Sequence, residues 1–302
     1  MIYTKNINIF ENIDTEEKAY WLGMIMADGS ICCNQNKVGT FPSGLKIGLT
    51  DKEVMDKFKI FLGLGEDVPY YIQNQPKCQP VYYLHITCHK MAQDLGKHGA
   101  IPNKINRTKI PKLEDQFIRH FIRGYFDGDG CVSIRDTKRK SGSFRKDIAV
   151  IITSCSVEIL KQVENICKKK QLIKQNRNYI RYPKTYHGKK HVPYFSISKR
   201  VNALDFLHFI YKDSSVYMER KYKLYLEFIR IFTEQKKFNR TNQYFGVRFV
   251  PRNTIRPYQS SFEYDGNKYR MGHFITELEA AKAYNNKIIE LGLSKELLNN
   301  IP

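Results

Sequence analysis

Two short phrases in this chain carry acids that could act together. Trp21-Leu22-Gly23-Met24-Ile25-Met26-Ala27-Asp28-Gly29 is echoed a hundred residues later by Ile122-Arg123-Gly124-Tyr125-Phe126-Asp127-Gly128-Asp129-Gly130. Each phrase sets small residues four apart, Gly23 with Ala27 and Gly124 with Gly128, and each ends in an acid followed by glycine. Residues four apart share one face of a helix, so each phrase predicts a helix with a bare stripe. Two bare stripes pack backbone to backbone, which brings Asp28 and Asp129 together at one end of the joint. Carboxylates side by side at helix C-termini repel each other and the negative end of each macrodipole. A divalent cation held between them removes that cost.

The elements that position these acids are also repeated. Behind Asp28 an alternating stretch from Ser30 to Asn34 and a second from Leu45 to Thr50 predict a β-hairpin. Behind Asp129, Cys131 to Arg135 and Ile148 to Thr153 predict another. An amphipathic helix follows each hairpin, Lys52 to Leu62 and Val157 to Lys169, then a strand pair ending in Tyr82–Ile86 or Tyr194–Ser198, then a further helix. The expected fold class is α+β: two pseudo-symmetric αββαββα repeats forming a β-saddle, residues 1–112 and 113–237. Asp14 with Glu17 reads as a capping pair for the first helix, and Glu114 and Asp115 suit the first turn of its counterpart. Gly29 and Gly130 read as C-cap glycines. Thr233 to Asn242 reads as a polar boundary. Residues 243–302 then predict a small three-stranded sheet with one helix: strands at Phe245–Phe249, Gln259–Tyr264 and Tyr269–Phe274, and a helix from Thr276 to Leu291 opened by a Thr276/Glu279 capping box.

Charge narrows the class of partner. The 302 residues carry 50 Lys and Arg against 30 Asp and Glu, a net charge of +20. The excess is +3 over residues 1–112, +14 over 113–237 and +3 over 238–302. So lopsided a balance points to a polyanion, nucleic acid before an anionic membrane. No apolar run is long enough to span a bilayer, and the N-terminal residues lack a signal-peptide core. The seven cysteines include no Cys-x-x-Cys pair with which to begin a zinc site. Reduced thiols in an intracellular protein are expected.

The twin phrases and the element order behind each resemble the LAGLIDADG homing endonucleases, in the form with two motifs in one chain. Glycine, small residue and terminal acid-glycine fall at the matching places in both copies. The departures are Met26, where the family usually has its first acid, and Leu22 and Arg123, which replace a small residue. The C-terminal segment resembles an AP2-type DNA-binding domain through Tyr244–Arg248, Gly266–Phe274 and Thr276–Asn285; it departs at Pro257-Tyr258, where that family has Lys-Trp.

The first resemblance implies a Mg²⁺-dependent, site-specific DNA endonuclease, with Mn²⁺ or Ca²⁺ as substitutes for binding. Asp28 and Asp129 are then both the catalytic residues and the main metal ligands, each serving one strand, with a double-strand break across the minor groove and short 3′ overhangs. Ala27 and Gly128 are candidate carbonyl ligands, because helix C-termini leave carbonyls over. Asp51 and Ser154 follow strand ends where the family places a polar residue near the metals, and either could instead cap the next helix. His85, on a strand, is a further candidate for the scissile phosphate. Strand alternation offers Asn34, Lys46, Arg135, Lys138, Arg139, Arg145, Arg177 and Arg181 to DNA, with Arg248, Arg252 and Arg270 from the C-terminal segment. The expected partner is double-stranded DNA, bound by a monomer. Intron RNA, bound by a maturase built on the same scaffold, and an inactive DNA-binding regulator are the competing readings. Both acids being intact argues against the regulator.

Overall fold

A computed structural model describes residues 6–36, 39–65, 68–74, 76, 78–102, 107–138, 144–183, 192–238, 244–250, 252–264, 267–293 and 297–301. The chain divides into two compact units, Met1–Ile229 and Arg230–Pro302.

The first unit contains the repeat twice. One copy runs α1 (Glu16–Asp28), β1 (Gly29–Asn36), β2 (Gly39–Leu49), α2 (Lys52–Phe61), β3 (Tyr71–Gln73), β4 (Val81–Thr87) and α3 (His89–Lys97). The other runs α4 (Asp115–Asp129), β5 (Gly130–Lys138), β6 (Phe144–Thr153), α5 (Val157–Lys169), β7 (Ile180–Arg181), β8 (Tyr194–Ile197) and α6 (Arg200–Tyr211), with α7 (Glu219–Phe238) after it. The two antiparallel sheets have the same strand order, β1-β2-β4-β3 and β5-β6-β8-β7. This is the α+β architecture expected from the repeated pattern.

Alternation decides which face of each sheet is buried. Leu45, Ile47, Leu49, Leu84 and Ile86 are buried, while Lys46 and His85 between them are exposed. Val150, Ile152, Phe195 and Ile197 do the same in the second sheet, with Ala149, Ile151 and Ser196 on its outer face. A bulge between Cys32 and Cys33 shifts the register of β1 against β2.

Helices α1 and α4 form the centre of the unit. Ala19 to Met26 and His120 to Asp127 are buried without interruption. The N-terminal end of α1 differs from the sequence reading, while the expected C-cap glycines are in place. The N-cap of α1 is Thr15, whose hydroxyl accepts from Lys18 N at 3.2 Å, while Asp14 pairs with the Lys18 ammonium at 2.7 Å. Gly29 and Gly130 are the C-caps, but both are extended, with φ of −84° and −91°. They are glycines for space: a Cβ on Gly29 would press on Ile25, and one on Gly130 on the ring and carbonyl of Phe126.

In the second unit β9 (Val247–Phe249), β10 (Tyr258–Tyr264) and β11 (Asn267–Phe274) form a sheet in the order β11-β10-β9, followed by α8 (Glu277–Glu290). The Thr276/Glu279 capping box is present in both directions. Gly246 has a φ of +69°, and a side chain there would strike the Tyr284 ring. The polar stretch read as a boundary is helical as far as Phe238, because its Lys, Gln and Glu are all good helix formers.

Candidate active site

The bare stripes do pack together. A Cβ on Gly23 would meet the Phe121 carbonyl and the Tyr125 amide, and one on Gly124 would meet the Tyr20 carbonyl and the Met24 amide. Backbone therefore lies on backbone, and the two helices reach their C-termini together. There, a Cβ on Gly128 would touch that of Ala27 and sit 2.9 Å from Asp28 Oδ2. The carboxylate of one repeat is thus held against the backbone one residue before the acid of the other. Asp28 is exposed and Asp129 partly buried.

This donor set fits a hard divalent cation. Asp28 Oδ2 lies against Gly128, beside Asp129, where two helix dipoles point their negative ends, and hard cations take oxygen ligands completed by water. No group of three or more His, Cys, Asp and Glu side chains placed to hold a metal ion occurs among the described residues.

Beneath the acids lies a polar network that the sequence did not announce. Asp127 is fully buried, accepting from the Tyr20 hydroxyl at 3.0 Å, the Tyr211 hydroxyl at 2.5 Å and the Met218 amide at 2.8 Å. Burial raises its pKa, and the positive charge of Lys221 opposes that rise. The Lys221 ammonium, also buried, donates to the carbonyls of Phe126 at 2.7 Å, Asp127 at 2.7 Å and Gly130 at 2.5 Å. It compensates the C-terminal end of α4 and uses carbonyls other than that of Gly128. Burial depresses Lys221 to about 8, against the pull of Asp127 and Asp28. Arg123, where the repeat could carry a small residue, is fully buried and binds Glu16 Oε1 at 2.6 Å and the Val216 and Ile210 carbonyls at 2.8 and 2.9 Å. These partners lie about ninety to a hundred residues away along the chain, so no local pattern reveals them.

The remaining candidates fall in several places. Ser154 is buried: its Oγ accepts from the Tyr125 hydroxyl at 2.9 Å and from the Ser156 amide at 3.1 Å. Burial and then the charge of Asp129 raise the pKa of Tyr125, which connects Ser154 to that acid. The N-cap of α5 is Ser156, not Ser154. Asp51 occupies the N-cap position of α2 without a side-chain cap bond, and accepts instead from Arg220 Nε at 2.8 Å.

His85 pairs in register with Lys46 on the outer face, and the Lys46 ammonium lies 4.9 Å from the Tyr83 ring centre. Asn34, Arg135 and Arg177 are exposed, as are Arg252 and Arg270. Arg181 is exposed but donates to the Asn178 carbonyl at 2.8 Å, and Arg248 donates to Gln259 Oε1 at 2.9 Å. Arg139 lies outside the described residues, as do the side chains of Lys138 and Arg145. Tyr179, two residues before Arg181, is buried against Phe195.

Residues 116–211 match the LAGLIDADG-like domain family. The matched span starts just inside α4 and ends with α6. No curated protein matches the chain. Many solved structures resemble it, and three illustrate the likeness. The I-SmaMI LAGLIDADG homing endonuclease bound to cleaved DNA is 13% identical, over 74% of this chain and 92% of that one, with a TM-score of 0.46. The I-LtrWI LAGLIDADG homing endonuclease bound to target DNA is 14% identical over 77% and 92%, with a TM-score of 0.48. The LAGLIDADG meganuclease I-AabMI bound to uncleaved DNA is 14% identical over 72% and 91%, with a TM-score of 0.45.

Proposed function

We propose that this chain is a site-specific, metal-dependent endonuclease acting on double-stranded DNA, with both LAGLIDADG repeats in one monomer and a C-terminal AP2-like DNA-binding segment. The observation that carries this reading is the joint between α1 and α4, which sets Asp28 Oδ2 against Gly128 beside Asp129. The LAGLIDADG-like match over 116–211 and the excess of basic residues support it.

Hydrolysis of a phosphodiester needs an activated water, neutralised phosphate charge and a stabilised leaving oxygen, and bound Mg²⁺ supplies all three. Asp28 and Asp129 hold the metal, with the Ala27 and Gly128 carbonyls as further oxygen donors. Tyr125 and Ser154 fix the Asp129 side of the site. Lys221 clamps the end of α4, so that Asp129 keeps its place when charge is exchanged in front of it. The two outer sheet faces present Asn34, Lys46, His85, Arg135 and Arg181 to the duplex. All seven cysteines are free thiols.

The test uses a randomised duplex library in Mg²⁺. The parent protein linearises a subset of sequences, and Asp28→Asn or Asp129→Asn slows cutting of that subset by at least about a hundredfold, a scale set by the loss of a preorganised charge group. Cutting by both variants at the parent rate sinks the proposal.

A further inference from the structure

The outer face of the first sheet carries an aromatic strip. Tyr71 on β3 stands opposite Tyr83 on β4, and Tyr83 stands opposite Gly48 on β2. The Tyr71 and Tyr83 rings lie 6.3 Å apart, inclined by 33°. Gly48 makes room for the strip. A Cβ there would strike Cε1 and Cδ1 of Tyr83, so the ring lies across space that a side chain would fill. An aromatic ring laid over a cross-strand glycine is held by that packing. Lys46 is two residues back along β2 and therefore on the same face, with His85 opposite it. Its ammonium lies 4.9 Å from the Tyr83 ring centre. Tyr83 is partly buried, whereas Tyr71 leaves 69% of its surface to solvent.

Exposed ring surface beside a cation suits a partner that carries apolar and anionic groups side by side. The major groove of duplex DNA does. Its base edges are polar except for the C5 methyl of thymine, which projects into the groove between the phosphates of its two rims. A tyrosine has a single hydroxyl and cannot match the paired donor and acceptor of a purine edge. Rings inclined by 33° also give no parallel slot for an unpaired base. A methyl group is what this surface fits.

We infer that Tyr71 and Tyr83 read the C5 methyl of a pyrimidine in the major groove, so that the target carries thymine or 5-methylcytosine at the base pair they meet. Lys46 holds an adjoining phosphate. The inference rests on the duplex-DNA reading above and adds a determinant of which sequence is chosen. Discrimination comes from burying one methyl group on ring surface, and no bond is made or broken.

The experiment takes a duplex that the parent selects from a randomised library and measures binding in Ca²⁺. Each thymine in turn is replaced by uracil, which removes the methyl and keeps the base pairing. The parent should lose roughly fourfold in affinity at the thymine the rings meet, the worth of one buried methyl. Tyr71→Ala should bind the thymine duplex more weakly and no longer distinguish uracil at that position, because two changes that remove one contact do not add. Tyr71→Phe should keep the discrimination, since the ring and not the hydroxyl meets the methyl. At the same position 5-methylcytosine paired with guanine should bind the parent better than cytosine does, and Tyr71→Ala should treat the two alike. The melting temperature of Tyr71→Ala should match the parent's, because the ring is mostly exposed. A parent indifferent to every uracil overturns the inference and leaves the nuclease standing. So does a Tyr71→Ala protein that keeps the parent's sensitivity at every thymine. One that loses affinity equally for thymine and uracil duplexes, or loses only binding to single-stranded RNA, overturns it too, by placing the rings on sugar and phosphate or on unpaired bases. A parent that selects no duplex overturns the nuclease reading, and this inference with it.

Discussion

At the scale of single residues, buried charges beneath the acids do more than the acids themselves to define the site. Asp127 holds the start of α7 through the Met218 amide, and three residues on Lys221 turns back onto the end of α4. Removing the Lys221 charge strands three carbonyls and leaves Asp127 without its counter-charge. Lys221→Met should therefore cost about 3–5 kcal/mol of stability, the range for breaking one side of a buried pair, measured as a fall in chemical-denaturation midpoint. His120 offers a second, pH-dependent readout. Burial, then the charge of Arg123 beside it, depresses its pKa from 6.5 to about 4. Between these values the unfolded chain binds a proton that the folded chain does not, so stability falls as pH drops from 6.5 towards 4. A His120→Gln variant should lose this contribution and show a shallower decline in melting temperature over the same window. A decline as steep as the parent's would place the acid sensitivity elsewhere.

At the scale of elements, the glycines at the helix joint can be told apart by what a methyl group would meet. Gly23→Ala and Gly124→Ala each drive a Cβ into backbone of the partner helix. Backbone cannot swing aside as a side chain can, so each change should destabilise by about 3 kcal/mol, the upper end for overpacking. Gly96, within α3, has open space where its Cβ would be, and Gly96→Ala should stabilise by about 0.5–1 kcal/mol through helix propensity alone. Thermal melts of the three variants separate close approach from mere helix content. The close approach was legible in the sequence because it is written in a local pattern, small residues four apart, twice. So were the hairpins, whose alternation survives in the buried Leu45, Ile47 and Leu49, and the helix α5, found over the residues expected. The Thr276/Glu279 capping box was legible for the same reason. What escaped was non-local: Arg123 reaching Glu16, Tyr20 and Tyr211 meeting on Asp127, and Arg220 crossing to Asp51. A lone Lys or Arg in an amphipathic stretch looks the same whether it faces water or a carbonyl cluster on another helix. Thr15 displaced Asp14 as the cap because Asp14 has a better partner one turn on, in Lys18.

At the scale of the whole molecule, charge and modularity argue for division of labour between the segments. Residues 113–237 hold +14 of the net +20, so most of the attraction to a polyanion resides in the second repeat. The C-terminal segment adds only +3, yet three of its arginines, Arg248, Arg252 and Arg270, are exposed on strands or turns. If these meet phosphates, each releases counterions on binding, and each steepens the dependence of affinity on salt by roughly 0.9 in the logarithmic slope. A chain shortened from residue 240 onward should accordingly bind its target more weakly and with a slope shallower by about 2–3. Titrations of parent and shortened chain in Ca²⁺, over a series of salt concentrations, measure both quantities on one uncleaved duplex. Replacing the three arginines by glutamine in the intact chain should reproduce the slope change while keeping the sheet and α8 folded. If the shortened chain keeps the parent slope, the segment has a task other than gripping phosphate. If the glutamine variant keeps the slope but the shortened chain does not, the contacts lie on other residues of the segment, such as Arg256 or Lys268, both exposed.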